Sequence, residues 1–562
     1  MATDEHRRPP ASRGISDAQR FLLLAVLIGV CTGLLVVCFH ASIELVDWYV
    51  RDAASSPVAR VLVPGVGAAI AAWVVYLIPA GAGSGIVQTK SALYVSNGRI
   101  PFAAVPGKFV ACVLSIGTGT PLGPEDPALL MGAGLASRLG STFGLTRETM
   151  RLIAPIGAAA GIAAAFNTPI TGVLFVMEEV VAGWNASVMG SIVLAAVSSV
   201  VTTRMFLGES PLFRVPDVAG LSSPIEGVSY VALGVAAGLF ATLYMRGAAL
   251  LRYRLGAFRL PVAVGPLLAG FVVGAVGLAA PEVLGTGYRP MDAALNLQYT
   301  WQTMALLAAL KLLVAGLAFA VGTPGGLFAP TLFLGVMLGG AFGGVVPLLW
   351  PTLPVSPGMM AVAGMAGVFA GVFRAPMTAV FMTFELTGTS ASILPAMVTS
   401  ALGFLIARQF QRQSILDLVA EHEGARLPSA RLERDDAPLH VEDVLQPPAS
   451  VLVVDGDGPL AAGADRARGD DDPVLVRLPG SSWGVVSSQV FDAVAAEGGN
   501  RADLARHPAF TLVGPAYPDE PVDVVLRGLG TAPLVPVVSR LDERHLLGVV
   551  RFADIRRAYG IE

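Results

Sequence analysis

A chain that twice repeats one glycine- and proline-broken frame, each time against an apolar run, cannot lay either run down as an uninterrupted helix. Gly119–Gly132 reads GTPLGPEDPALLMG and Gly322–Gly335 reads GTPGGLFAPTLFLG, one frame of G-T-P-x-G-x-x-x-P-x-x-x-x-G repeated 203 positions on. A lysine stands eleven residues ahead of each copy, Lys108 and Lys311, and the chain has one other, Lys90. Glycine permits dihedrals closed to other residues, and proline is tolerated in a first helical turn. Each frame therefore predicts a backbone break followed by a helix start. In a membrane, such breaks at matching places in two halves point to a transport site.

A second pair of segments repeats in the same order. Gly157–Glu178 reads GAAAGIAAAFNTPITGVLFVME and Gly364–Glu385 reads GMAGVFAGVFRAPMTAVFMTFE. Gly157, Phe166, Pro169 and Glu178 align with Gly364, Phe373, Pro376 and Glu385 at an offset of 207. The chain is an internal duplication over about residues 21–215 and 225–420. Sequence similarity leaves open whether the halves are parallel or inverted.

Composition sets the solvent. The 562 residues are 54% hydrophobic, and the mean hydropathy of +0.67 is too high for an ordinary soluble protein of this size. Apolar segments near the ~20 residues needed to cross a bilayer recur. They include Phe21–Phe39, Val61–Ala80, Val188–Val201, Val228–Leu251, Val262–Ala280, Met304–Val321 and Ala391–Ala407. From Glu421 onward the chain holds 23 of its 41 acidic residues and no such run, which marks a separate soluble domain. Arg7, Arg8, Arg13 and Arg20 precede the first apolar run and predict a cytoplasmic amino-terminal tail. With the acidic domain also cytoplasmic, the number of full crossings is expected to be even. Cys31, Cys38 and Cys112 lie in apolar segments and imply packing, neither a disulfide framework nor a metal site.

The substrate class follows from the helix starts. Glycine-rich starts near Ser84, Glu125, Leu327 and Gly364 would each present orphan N–H groups and about half a positive charge. Their natural ligand is an anion held by amides and a hydroxyl. Ser84 in GAGSGIVQTK (Gly81–Lys90) offers the hydroxyl, the plain alternative being a turn in which Ser84 caps a helix. Glu125 then sits where the anion belongs, competes for the same donors and leaves when protonated, which links anion passage to protons. Lys108 and Lys311 are expected to stabilise the broken backbone and not to touch the substrate.

These residues resemble the CLC family of chloride channels and proton-coupled chloride exchangers. The family's filter motifs GSGIP, GREGP and GIFAP correspond to GSGIV at Gly83–Val87, GPEDP at Gly123–Pro127 and GLFAP at Gly326–Pro330. The resemblance implies an all-α polytopic membrane protein of two inverted repeats, a homodimer with one pathway per subunit in the lipid bilayer. It assigns anion binding to Ser84, Gly85, Ile86, Gly123, Leu327 and Phe328, the gating glutamate to Glu125 and the inner proton relay to Glu179.

The chain departs from that pattern. Pro124 stands for the family's arginine, Asp126 for its following glycine, and Val87 for proline. Asp126 before Pro127 is either a cap for its own helix or a second gate. In Gln413–Ala420 the family's central tyrosine aligns with Leu416, or with Ile415 after a one-residue slip, and neither has a hydroxyl. Fluoride, nitrate and bicarbonate therefore stand beside chloride as substrates.

Residues 426–562 resemble a pair of cystathionine-β-synthase (CBS) modules of α/β fold, joined by a charged linker over 421–437. Ser487 in the first module and Asp554 in the second each keep half of the family's nucleotide-binding pattern, with Val490 and Arg551 at the other positions. The pair implies structural or regulatory docking, or an adenine nucleotide as ligand. No nucleophile–base set, metal cluster or P-loop is present in the sequence, and no partner beyond small anions, protons, lipid and a second copy is implied; nucleic acid is not. The expected arrangement is a tail (1–20), a membrane domain (21–425) and the CBS-like domain. The expected function is anion/proton antiport across the plasma membrane, with a passive channel, or a CBS-regulated sensor, as alternatives.

Overall fold

The computed structural model describes residues 17–423 apart from 54, 95, 182–185, 216–223, 257, 259, 260, 352 and 354, and then 439–455, 460, 473–478, 482–522, 525, 532–540 and 542–558. Arg7, Arg8, Arg13 and most of the charged linker lie outside the described residues. The chain divides into two compact units. One comprises Met1–Thr89, Ile100–Thr142 and Ile153–Ser414, the other Lys90–Arg99, Phe143–Leu152 and Ile415–Glu562.

The first half runs through α1 (Asp17–Ala53), α2 (Pro57–Leu77), α3 (Gly85–Tyr94), α4 (Ala104–Gly117), α5 (Glu125–Thr142), α6 (Arg147–Arg151), α7 (Ile153–Phe166), α8 (Pro169–Phe175) and α9 (Ala186–Leu207). The second half runs through α10 (Pro224–Gly256), α11 (Val264–Ala279), α12 (Tyr288–Leu295), α13 (Trp301–Ala320), α14 (Phe328–Leu349), α15 (Pro357–Phe373), α16 (Pro376–Thr387) and α17 (Ile393–Phe410). Among the described residues, eight helices are long and apolar enough to cross a membrane, four in each half. Leu23 on α1, Trp73 on α2, Val201 on α9, Leu243 on α10 and Leu405 on α17 are exposed, as side chains that face lipid must be.

The halves are inverted repeats about a two-fold relation, and the repeated residues show it. Gly123 and Gly326, equivalent positions of the first frame, bond reciprocally: Gly123 N donates to Gly326 O at 2.8 Å and Gly326 N to Gly123 O at 2.7 Å. Two equivalent residues can bond each other in this way only across a two-fold axis. The repeated glycines are close-approach sites, as expected where helices pack on small residues in lipid. A Cβ on Gly132 would lie 2.2 Å from Gly157 O, and one on Gly335 would lie 2.7 Å from Gly364 O. The first frame's last glycine thus packs on the second motif's first glycine, once in α5–α7 and again in α14–α15. Gly364 lies inside α15, whose cap is Ser356, so the fourth helix start expected there does not exist. The glycine serves packing instead.

The repeated glutamates hold the halves together. Glu178 accepts from Met377 N at 3.2 Å and from Thr378 N and Oγ1 at 3.0 and 2.8 Å, all at the start of α16. Glu385 accepts from Ile170 N at 2.9 Å and from Thr171 N and Oγ1 at 2.7 and 2.6 Å, at the start of α8. Neither helix has a side-chain cap of its own. Each half caps the other.

The second unit carries the α/β region. β1 (Leu452–Val454), β2 (Val474–Arg477), β3 (Trp483–Val486) and β4 (Thr511–Val513) form a sheet in that order, parallel at β1–β2 and antiparallel thereafter. β5 (Leu534–Ser539) and β6 (Asp542–Arg551) form a second, antiparallel pair. Trp483, Val485, Leu534, Val537 and Val549 share one core across both. α18 (Ile415–His422) belongs to this unit by contact, and Leu416 on it is buried.

Glu385→Ala should strip three charge-assisted donors of their acceptor. A loss of about 1.5–3 kcal/mol is expected, read as a lowered apparent melting temperature in detergent, and Glu178→Ala should match it. An unchanged melting temperature in both variants would remove the crossed caps from this account.

Candidate anion and proton site

The broken segments place three helix starts around one point. α3 begins after Gly83, whose φ of 72° is open to glycine, and the equivalent Gly285 has φ 56°. Such breaks free carbonyls as well as amides, and the lysines take them. Lys108 Nζ donates to Gly83 O, while Lys311 Nζ donates to Val283 O at 2.9 Å and Gly285 O at 2.7 Å. Both lysines are buried. They secure the breaks, as their spacing before each frame predicts.

Glu125 opens α5 and is fully buried. Its Oε1 accepts from the Tyr288 hydroxyl. Its Oε2 has no hydrogen-bond partner in good geometry among the described residues. That oxygen lies against the amide end of α14: a Cβ built on Gly123 would stand 2.1 Å from it and 3.1 Å from Ala329 N. α14 has Leu327 at its cap position and no side-chain cap bond, with Phe328 as its first residue.

Asp126 does not cap its own helix. Its carboxylate reaches across to α3, accepting from Ser84 Oγ at 3.0 Å, Gly85 N at 2.9 Å and Ile86 N at 3.1 Å. The three donors expected to meet an anion thus meet a carboxylate of this chain. A Cβ on Gly326 would lie 2.9 Å from Asp126 Cβ, so glycine there lets the two filter loops close. Ser84, Gly85, Ile86, Gly123, Glu125, Asp126, Leu327 and Phe328 are therefore gathered at one place.

Glu179 lies apart, buried on the π turn Val176–Val180 that continues α8. Phe175, one turn before it on α8, belongs to an aromatic cluster at the start of α14. Phe175 packs on Phe328 with centroids 4.9 Å apart, and Phe373 and Phe369 pack on Phe328 at 4.5 and 5.6 Å. Leu416, Ser487 and Asp554 fall in the second unit. Ser487 caps a helix over Ser488–Ala496, accepting from Val490 N at 3.4 Å. Asp554 accepts from Arg551 N at 3.3 Å, at the start of the helix Phe552–Ala558. Both residues that keep the nucleotide-binding pattern are engaged in local turns.

Tyr288 was missed, and the sequence held a signal for it. Gly285–Tyr288 reads GTGY, 202 positions beyond GSGI at Gly83–Ile86, and precedes Lys311 as GSGI precedes Lys108. It is a third repeated element. The filter's phenolic hydroxyl comes from α12.

The sequence pattern of the family described as "Voltage gated chloride channel" matches residues 67–408. A putative chloride channel protein ClcB-like from Ralstonia nicotianae is 30% identical over 69% of this chain and 93% of its own length. The H(+)/Cl(-) exchange transporter ClcA of Vibrio vulnificus is 30% identical over 69% of this chain and 86% of its own. A solved eukaryotic CLC transporter shares the fold at a TM-score of 0.75 and 17% identity, across 95% of this chain and 98% of its own.

Tyr288→Phe should take from Glu125 the hydroxyl donor on its Oε1. A hydrogen bond to a charged group is worth about 1.5–3 kcal/mol, so the withdrawn state should gain tenfold or more in population. Anion efflux from liposomes should rise at fixed pH. Efflux equal to the parent's would show that Tyr288 does not hold the gate.

Proposed function

The chain belongs to the voltage gated chloride channel family, and we propose that it is a secondary active antiporter exchanging chloride, or a related small anion, for protons. The observation that carries this reading is Glu125: a fully buried carboxylate at the meeting point of two filter loops, with one oxygen on Tyr288 and the other beside the start of α14 without a partner in good geometry among the described residues. An ionisable group at membrane depth is a functional group by default. When ionised it fills the place of an anion, and when protonated it gives that place up. Each exit therefore moves a proton against an anion.

Glu179 is the second station. It is buried, and a channel needs no acid there, whereas a proton crossing a low-dielectric interior needs titratable stops. The ClcA exchanger and the ClcB-like channel among the relatives bracket the two readings by their printed names, and Glu179 favours the first. No covalent step is involved. The residues gathered at the site all come from one chain, which supports one pathway per subunit in a homodimer.

Glu125→Gln should keep anion flux while removing its pH dependence and its proton movement. Glu179→Gln should keep anion flux and abolish proton movement. Both are read in liposomes as proton uptake driven by an anion gradient, beside anion efflux. Wild-type anion flux without proton uptake at any pH would replace the antiporter with a channel.

A further inference from the structure

Two carboxylates stand side by side where the helix starts meet, and the cycle above uses only one. Asp126 is buried, and its oxygens take the Ser84 hydroxyl and the Gly85 and Ile86 amides. A carboxylate that takes all three leaves none for a mobile anion. We propose that Asp126 is a resident anion and second gate, and that an anion from solution binds at the start of α3 only after the Asp126 carboxylate withdraws or is protonated. This rests on the reading of that helix start as part of the anion path.

The neighbouring charges argue the same way. Glu125, one residue earlier, keeps a buried oxygen that has no hydrogen-bond partner in good geometry among the described residues. With both acids ionised, an arriving anion would be a third negative charge against helix starts worth about half a positive charge each. Displacement is the arrangement that balances. Among the described residues the titratable groups on the elements around Asp126 are few, α3 itself carrying Lys90 and Tyr94 further along. Glu125 is on the same helix as Asp126. On α4, Lys108 is held to Gly83 O, and the buried Cys112 lies within electrostatic reach of both Lys108 and Asp126. Tyr288 on α12 acts at one remove, through Glu125. α7 and α14 carry no titratable side chain. Gly83 is exposed and Ser84 half-buried, whereas Asp126 behind them is buried. An anion arriving at α3 would find its donors taken.

Chloride titrated calorimetrically onto the purified full-length protein tests this without requiring transport. Wild-type affinity should be weak at neutral pH and rise in mild acid. Asp126→Gly, which clears the donors, should bind chloride at least tenfold tighter at neutral pH. Asp126→Asn keeps a capping group without charge and should fall between, with a flatter pH dependence. Asp126→Asn is the control for folding, because asparagine caps about as well as aspartate. Affinity and pH dependence equal to the parent's in folded Asp126→Asn would overturn the proposal and leave Asp126 as a cap for α3. Tighter binding in both variants supports it even where proton uptake is absent, an outcome that would count only against antiport.

Discussion

Helices that stop inside a membrane leave N–H groups with no water to satisfy them, and this fold answers with carboxylates borrowed from elsewhere in the chain. Asp126 serves α3, Glu178 serves α16 and Glu385 serves α8, while Glu125 lies beside α14. The cations do the reverse. Lys108, Lys311 and Arg374 donate to backbone carbonyls at breaks and helix ends, Arg374 to Gly371 O at 2.7 Å and Gln411 O at 2.5 Å. Charges are thereby spent on peptide dipoles, which fixes the backbone and keeps full cations out of the anion path. Two of the four carboxylates are locked between repeats. The other two, Asp126 and Glu125, stand side by side at the starts of α3 and α14.

Much of this was legible because the duplication states each requirement twice. The repeated glutamates and lysines, and the glycine pairs Gly123/Gly326 and Gly132/Gly335, do the same structural job in each repeat. What failed were inferences from a single residue type. Gly364 looked like a helix start, but a buried small-residue contact needs glycine for the same lack of a side chain. The helix at Phe328–Leu349 was absent from the apolar segments because prolines and glycines punctuate it. Of the two readings of Asp126, the cap for its own helix failed, since sequence adjacency shows only local partners. Its true partners lie about forty residues away and depend on how the loops fold. Tyr288 escaped because its equivalent in the first repeat, Ile86, has no hydroxyl.

The second unit was readable as α/β from its valine-rich strands and turn residues, and its core joins both sheets. Single motif residues were less informative there. Ser487 and Asp554 are residue types that favour helix starts, and both are found bonding at them. Of the three cysteines expected to pack, Cys112 lies in the core with Val36 and Phe39, whereas Cys38 is exposed on α1.

The reciprocal bonds between Gly123 and Gly326 also limit how the molecule can move. Many two-repeat carriers open to one side and then the other by swinging one half against its twin. Here the halves are stitched at the axis by two backbone hydrogen bonds directly beside the filter, and again by glutamates that reach from each half into the other. A rocking motion would have to break all of these at once in a medium that offers no replacement partners. Movement of the substrate past the narrowest point is thus left to side chains that pivot within a fixed frame, and the protein resembles a turnstile more than a pair of doors.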